Sequence, residues 1–183
     1  MVRETKRSQM RKLILVVIAA LFAVPALAVA GSTPSPADTA AAVKQCSTMQ
    51  TAAGLSSFKL TFGTNANRSN AFGKCVSKQA HLNALNRGNA AKQCASARTA
   101  DPVGFAATYG KGAKHANAFG NCVSTTTKSA EAAQVQATVN AAKQCLTERK
   151  AGVAAFNARY GTGASKTNAF GKCVSGKVKQ SSP

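Results

Sequence analysis

The chain has 183 residues, of which 24 are Lys or Arg and only 5 are Asp or Glu, for a formal net charge of +19 at pH 7. That excess points to anionic partners or surfaces, and it leaves few carboxylates for chemistry that depends on paired acids. Six cysteines are present and Trp is absent; no Cys-x-x-Cys occurs and no His stands at ligand spacing, which argues against zinc and c-type haem.

Arg3, Lys6, Arg7, Arg11 and Lys12 make a basic start, and Leu13 to Leu27 is almost wholly apolar. Ala28-Val29-Ala30 then offers small residues before Gly31. This order predicts a signal peptide over 1–30 and export from the cell. Left uncleaved, the same segment would be an N-terminal membrane anchor. Residues 31–40, with Ser, Thr and Pro, read as a flexible segment.

Beyond it, one phrase is written three times: Lys-Gln-Cys, an aromatic pair, then Asn-Ala-Phe-Gly-x-Cys-Val-Ser. The copies begin at Lys44, Lys92 and Lys143 and close at Ser77, Ser124 and Ser175. Such periodicity predicts tandem structural units. All six cysteines fall inside it, one early and one late in each copy. In an exported chain this predicts disulfides within copies, Cys46–Cys75, Cys94–Cys122 and Cys145–Cys173. A unit of about 38 residues needs such a staple, because a core that small is inadequate alone.

Within a copy the spacing is helical. Phe58 and Phe62, Phe105 and Tyr109, and Phe156 and Tyr160 are each four apart and predict a core stripe. Gly54, Asp101 and Gly152 break the cysteine helix from the aromatic helix; Asp101-Pro102 resembles an N-cap with proline at the first helical position. Gly63, Gly110 and Gly161 are expected as left-handed C-caps. Asn70, Asn117 and Asn168 are expected to cap a third helix, and Asn140 to cap the cysteine helix of the last copy. Gly73, Gly120 and Gly171 suggest close helix approach.

The expected architecture is therefore mainly α. It has three small helical units at 41–78, 89–125 and 140–176, joined by connectors at 79–88 and 126–139, the second helical, with a tail at 177–183. Arg87-Gly88 reads as a break, and the whole as beads on a semi-flexible string.

The charge beyond residue 30 is scattered, with no run longer than Arg149-Lys150. Lys44, Lys92 and Lys143 recur beside the first Cys and Lys74 and Lys172 beside the second, so these five are candidate anion-binding residues. The aromatics are committed to cores, which makes nucleic acid a lesser option than anionic polymers, with a membrane surface between them. No carboxylate pair, Ser-His-acid set or Cys-His set is present, and no cofactor is expected. The Asn-Ala-Phe-Gly-Lys-Cys-Val-Ser phrase, complete at 70–77 and 168–175 but with Asn121 in the middle copy, resembles repeats of exported bacterial proteins. That resemblance implies export and carries no activity with it. The expected function is a secreted, non-enzymatic cationic protein that binds anionic envelope or extracellular polymers. The alternatives are a membrane-active antimicrobial protein and a secreted hydrolase with a site in one copy.

Overall fold

The computed structural model describes residues 33–181, so the expected signal peptide lies outside the described residues. Seven helices follow in order: α1 (Pro36–Ala53), α2 (Leu55–Phe62), α3 (Ala71–Ala100), α4 (Pro102–Tyr109), α5 (Ala118–Ala151), α6 (Val153–Tyr160) and α7 (Ala169–Ser181). No strand occurs among the described residues; one isolated bridge joins Lys111 and Ala116.

Each copy contributes a helix carrying its first Cys, a two-turn aromatic helix, and a helix carrying its second Cys. Cys46 is bonded to Cys75, Cys94 to Cys122 and Cys145 to Cys173, each spanning 6.0 Å between Cα atoms. No cysteine is free. Three disulfides point to an oxidising environment for the folded chain. The aromatic pairs lie along the short helices with ring centroids 4.9–5.0 Å apart and ring planes tilted by 47–51°. Asp101 accepts a hydrogen bond from the Gly104 amide (2.9 Å) and so caps α4 as its sequence suggests.

Three elements differ from expectation. The flexible segment is instead the start of α1: Ser35 and Asp38 form a reciprocal capping box around Pro36, which satisfies the orphan amides of the first turn. The connector at 79–88 is not a break. Helix α3 runs 30 residues, about 45 Å at the usual rise, straight through Gly88. Helix α5 runs 34 residues through 126–139 and through Asn140, which caps nothing. Gly88 costs about 1 kcal/mol against Ala, and the buried stripe of Cys75, Gln79, Asn83, Ala84, Ala90 and Cys94 offsets it.

The result is not a string of beads. Helix α1 packs on both α3 and α5, and α2 touches α7. The first core (Cys46, Met49, Phe58, Phe62, Ala71, Cys75) is completed by Val139 and Val135, both from the expected second connector. The last core (Ala141, Ala142, Cys145, Phe156, Phe170, Cys173, Val174) is completed by Ala53 and Leu60 of the first copy. The first and third copies thus share one body. The middle core, Cys94, Phe105 and Cys122 with partly buried Tyr109, Ala118, Phe119 and Val123, draws on its own copy alone.

A polar seam closes α1 onto α3. Asp38 is ion-paired with Arg87 at 2.7 Å, Asn83 donates to the Asp38 carbonyl (3.0 Å) and Gln45 donates to Asn83 (3.2 Å). Burial opposes ionisation of Asp38, but hydrogen bonds from Arg87 and Ser35 outweigh it and hold its pKa at about 2. On α5, burial and the Asp38 charge push Glu131 the other way, above the ordinary carboxylate range. Because the folded-state pKa of Asp38 lies below its ordinary 3.8, its ionised form stabilises the fold above about pH 4. That contribution is lost as pH falls through about 2. Urea unfolding midpoints should drop across this window, and Asp38→Asn should flatten the drop while lowering stability at neutral pH by about 2–4 kcal/mol. An unchanged profile in the variant counts against the seam.

Candidate anion-binding junction

The loops after the aromatic helices share one construction. Gly63, Gly110 and Gly161 are extended (φ −71°, −73° and −78°) and not left-handed C-caps. What demands glycine there is space: a Cβ on Gly63 would lie 2.5 Å from the Arg68 Cβ, and on Gly161 2.5 Å from the Lys166 Cβ. One basic residue at the same place in each copy is left-handed instead, Arg68, His115 and Lys166 at φ 56°, 48° and 48°; in the middle copy Asn117 is left-handed as well, at φ 58°. Non-glycine residues adopt this conformation rarely.

Asn70 and Asn168 do not cap their helices through the side chain; they clamp the loop. Asn70 accepts from the Thr64 amide (3.0 Å) and donates to the Thr64 hydroxyl (2.8 Å), and Asn168 repeats both bonds to Thr162 at 3.0 and 2.6 Å. The middle copy has Lys111 in place of the threonine, and reciprocal backbone bonds between Lys111 and Ala116 (3.1 Å each) close that loop.

Arg68 then does what its counterparts do not. Its guanidinium donates to the carbonyls of Leu60 (3.3 Å) and Gly63 (3.2 Å) in its own copy and of Thr167 (2.9 Å) in the third. The loops of the first and third copies are held together by this residue. Beside it opens a groove of about 490 Å³, walled by Thr61, Thr64 and Arg68 on one side and by Asn168, Lys172, Ser175 and Lys179 on the other. A smaller groove of about 200 Å³ borders Arg68 as well, with Arg149 and Lys166 in its wall. Five cations border the two grooves, and no carboxylate is among the residues lining either. Walls that carry cations and no acid make an anion the favoured occupant.

Of the five residues singled out from sequence, Lys172 alone takes part in this junction. Lys44, Lys74, Lys92 and Lys143 stand on exposed helix surface. A Cβ on Gly171 would lie 3.1 Å from the Thr61 carbonyl oxygen, at the contact between α7 and α2, whereas Gly73 and Gly120 face open space. Sequence reasoning missed Arg68, Arg149, Lys166 and Lys179. The signal for two of them was legible, since Arg68 and Lys166 both stand two residues before the Asn of the repeated phrase.

The four carboxylates beyond residue 30 have other work. Asp38 pairs with Arg87, Asp101 caps α4, and Glu148 is bound by Lys177 (2.7 Å) and the Tyr160 hydroxyl (2.7 Å). Glu131 faces Gln45 and Lys128. Among the described residues no group of three or more His, Cys, Asp or Glu side chains could hold a metal ion, and no helix is long and apolar enough to cross a membrane. The chain is thus a mainly helical protein held by three disulfides. No protein-family model, curated protein or solved structure matches it.

Proposed function

We propose that this is an exported cationic protein, a binder and not an enzyme, whose ligand is an anionic polymer of the cell envelope or extracellular space. The observation that carries the reading is the junction: five cations around two grooves with no acid in their walls. Three things support it. Residues 1–30 have the order of a signal peptide, the disulfides suit an oxidising space, and the chain beyond residue 30 carries a net charge of about +15. The three copies would each add exposed lysines, Lys44, Lys74, Lys92 and Lys143, as weaker contacts along one polymer, raising the effective concentration at the junction.

Retention on immobilised polyphosphate and polyglutamate, eluted with a salt gradient, tests this. The protein should bind at low salt and elute as screening grows. Replacing Arg149, Lys166, Lys172 and Lys179 by Gln should weaken binding about tenfold or more. The same change at Lys44, Lys74, Lys92 and Lys143, equal in net charge, should cost distinctly less. No retention at low salt sinks the proposal; equal losses from the two variants sink the role of the junction.

A further inference from the structure

Beside the larger groove, between α2, α3, α5 and α7, lies a second space of about 280 Å³. The two share Thr61, Ser175 and Lys179 in their walls, so each opens beside the other. Their chemistry differs. The groove is polar and basic, whereas the inner space is walled largely by Phe62, Leu82, Val174 and Val178, with Lys78 and Lys179 as its cations. Thr61 and Thr138 in this wall have turned their hydroxyls onto backbone carbonyls, of Ser57 and Gln134, at 2.8 Å each. That leaves the lining less polar than its composition suggests.

One polar group there is not satisfied. Gln79 is 1% exposed, lies in the wall of the inner space, and its Oε1 has no hydrogen-bond partner. At that exposure Gln79 presents almost no polar surface to the space, so the lining a ligand meets stays largely apolar. Volumes of this order, apolar walls and a few convergent polar groups are the marks of small-molecule sites.

We propose that groove and inner space together form a head-and-tail site for a single-chain amphipathic anion. A phosphate or carboxylate head would sit among Arg68, Lys172 and Lys179, and a short apolar chain would enter between Phe62, Leu82, Val174 and Val178. Lys179, common to both spaces, marks the point where head passes into tail. This goes beyond polymer binding, because a hydrophilic polyanion would use the groove and leave the inner space unfilled. The site belongs to the junction of the first and third copies, whereas the core of the middle copy draws no residue from another copy.

Calorimetric titration of the oxidised protein with methyl, butyl, hexyl, octyl and decyl phosphate, each below its micelle concentration, tests the proposal. Affinity should rise about three- to fourfold per methylene and then level off when the space is full, at one ligand per chain. Leu82→Trp, which fills the space from a partly exposed position, should flatten the series while leaving methyl phosphate unaffected. Lys179→Gln, an exposed change that leaves the cores intact, should weaken every member by a similar factor. Affinity independent of chain length overturns the proposal, as does a rise without a plateau and with several equivalents bound, which is detergent adsorption. A two-chain dihexanoyl phosphatidic acid should bind more weakly than hexyl phosphate; the reverse order overturns the single-chain assignment. Polyanion retention without a chain-length effect refutes this site alone, and a chain-length effect without polyanion retention refutes the polymer reading alone.

Discussion

Complete reduction of the disulfides should leave a chain with little or no cooperative unfolding transition at room temperature. Each bridge closes a segment of 28 or 29 residues, and on the chain-entropy model each removal costs roughly 3.5 kcal/mol. Three together come to about 10 kcal/mol, which rivals the whole stability of an ordinary domain. Far-UV circular dichroism across a urea titration, with and without a phosphine reductant, reads the effect. An unshifted midpoint would mean that helix packing suffices by itself. The bridges should also differ. Cys94–Cys122 holds a core of three buried residues that draws on no other copy. Replacing both by Ser should therefore raise amide exchange in α4 and the adjoining ends of α3 and α5 while the remainder stays protected. Loss of Cys46–Cys75 or Cys145–Cys173 should instead weaken the whole, because the last core takes residues from the first copy and the first core takes residues from α5.

The second large effect separates residues that look alike in sequence. Phe72, Phe119 and Phe170 occupy one position of the repeated phrase, yet Phe170 is 2% exposed and Phe72 is 37% exposed. Phe72 and Phe170 each meet the first phenylalanine of their own aromatic helix, at 6.3 and 6.2 Å, but Phe170 does so inside the core that Ala53 and Leu60 complete and Phe72 from an exposed position. Phe119 has found a third environment, under the Arg98 guanidinium at 5.0 Å. Phe170→Ala should cost about 3–5 kcal/mol, and Phe72→Ala about 1 kcal/mol or less. Denaturant midpoints at unchanged slope give the comparison directly. Equal losses would show that the first and third copies do not share a core.

What could be read in advance was local. The pairing of cysteines followed from their recurrence, and the breaks at Gly54, Asp101 and Gly152 followed from glycine and from an Asp-Pro cap. The aromatic stripe was plain because apolar residues four apart announce a helical face. Helix α3 was hidden for the converse reason. Its buried stripe is built from Gln79, Asn83 and alanines, which carry little hydropathy contrast, and a glycine sits in the middle. Hydrogen bonds from Gln45 and Asn83, partners 38 and 45 residues away along the chain, make that stripe burial-worthy. The junction was hidden by distance as well. Arg68 is 99 residues from the Thr167 carbonyl it holds, and nothing near Arg68 in the chain announces that partner. Lys172 was noticed for its place beside a cysteine; its neighbours in the groove come from a helix end and a loop that only the folded chain brings together.

The completion of the first core by Val135 and Val139 bears on the order in which the protein can mature. A ribosome delivers Phe58 and Phe62 some seventy residues before those valines, so the early half waits half-covered for its lid. Once the chain enters an oxidising space, the Cys46–Cys75 link can act as a temporary clasp, holding α1 against the start of α3 until the late strip of α5 arrives. Oxidised chains truncated shortly before Val135 should accordingly be more susceptible to protease near Phe58 than chains truncated well beyond Val139, even with that first link formed.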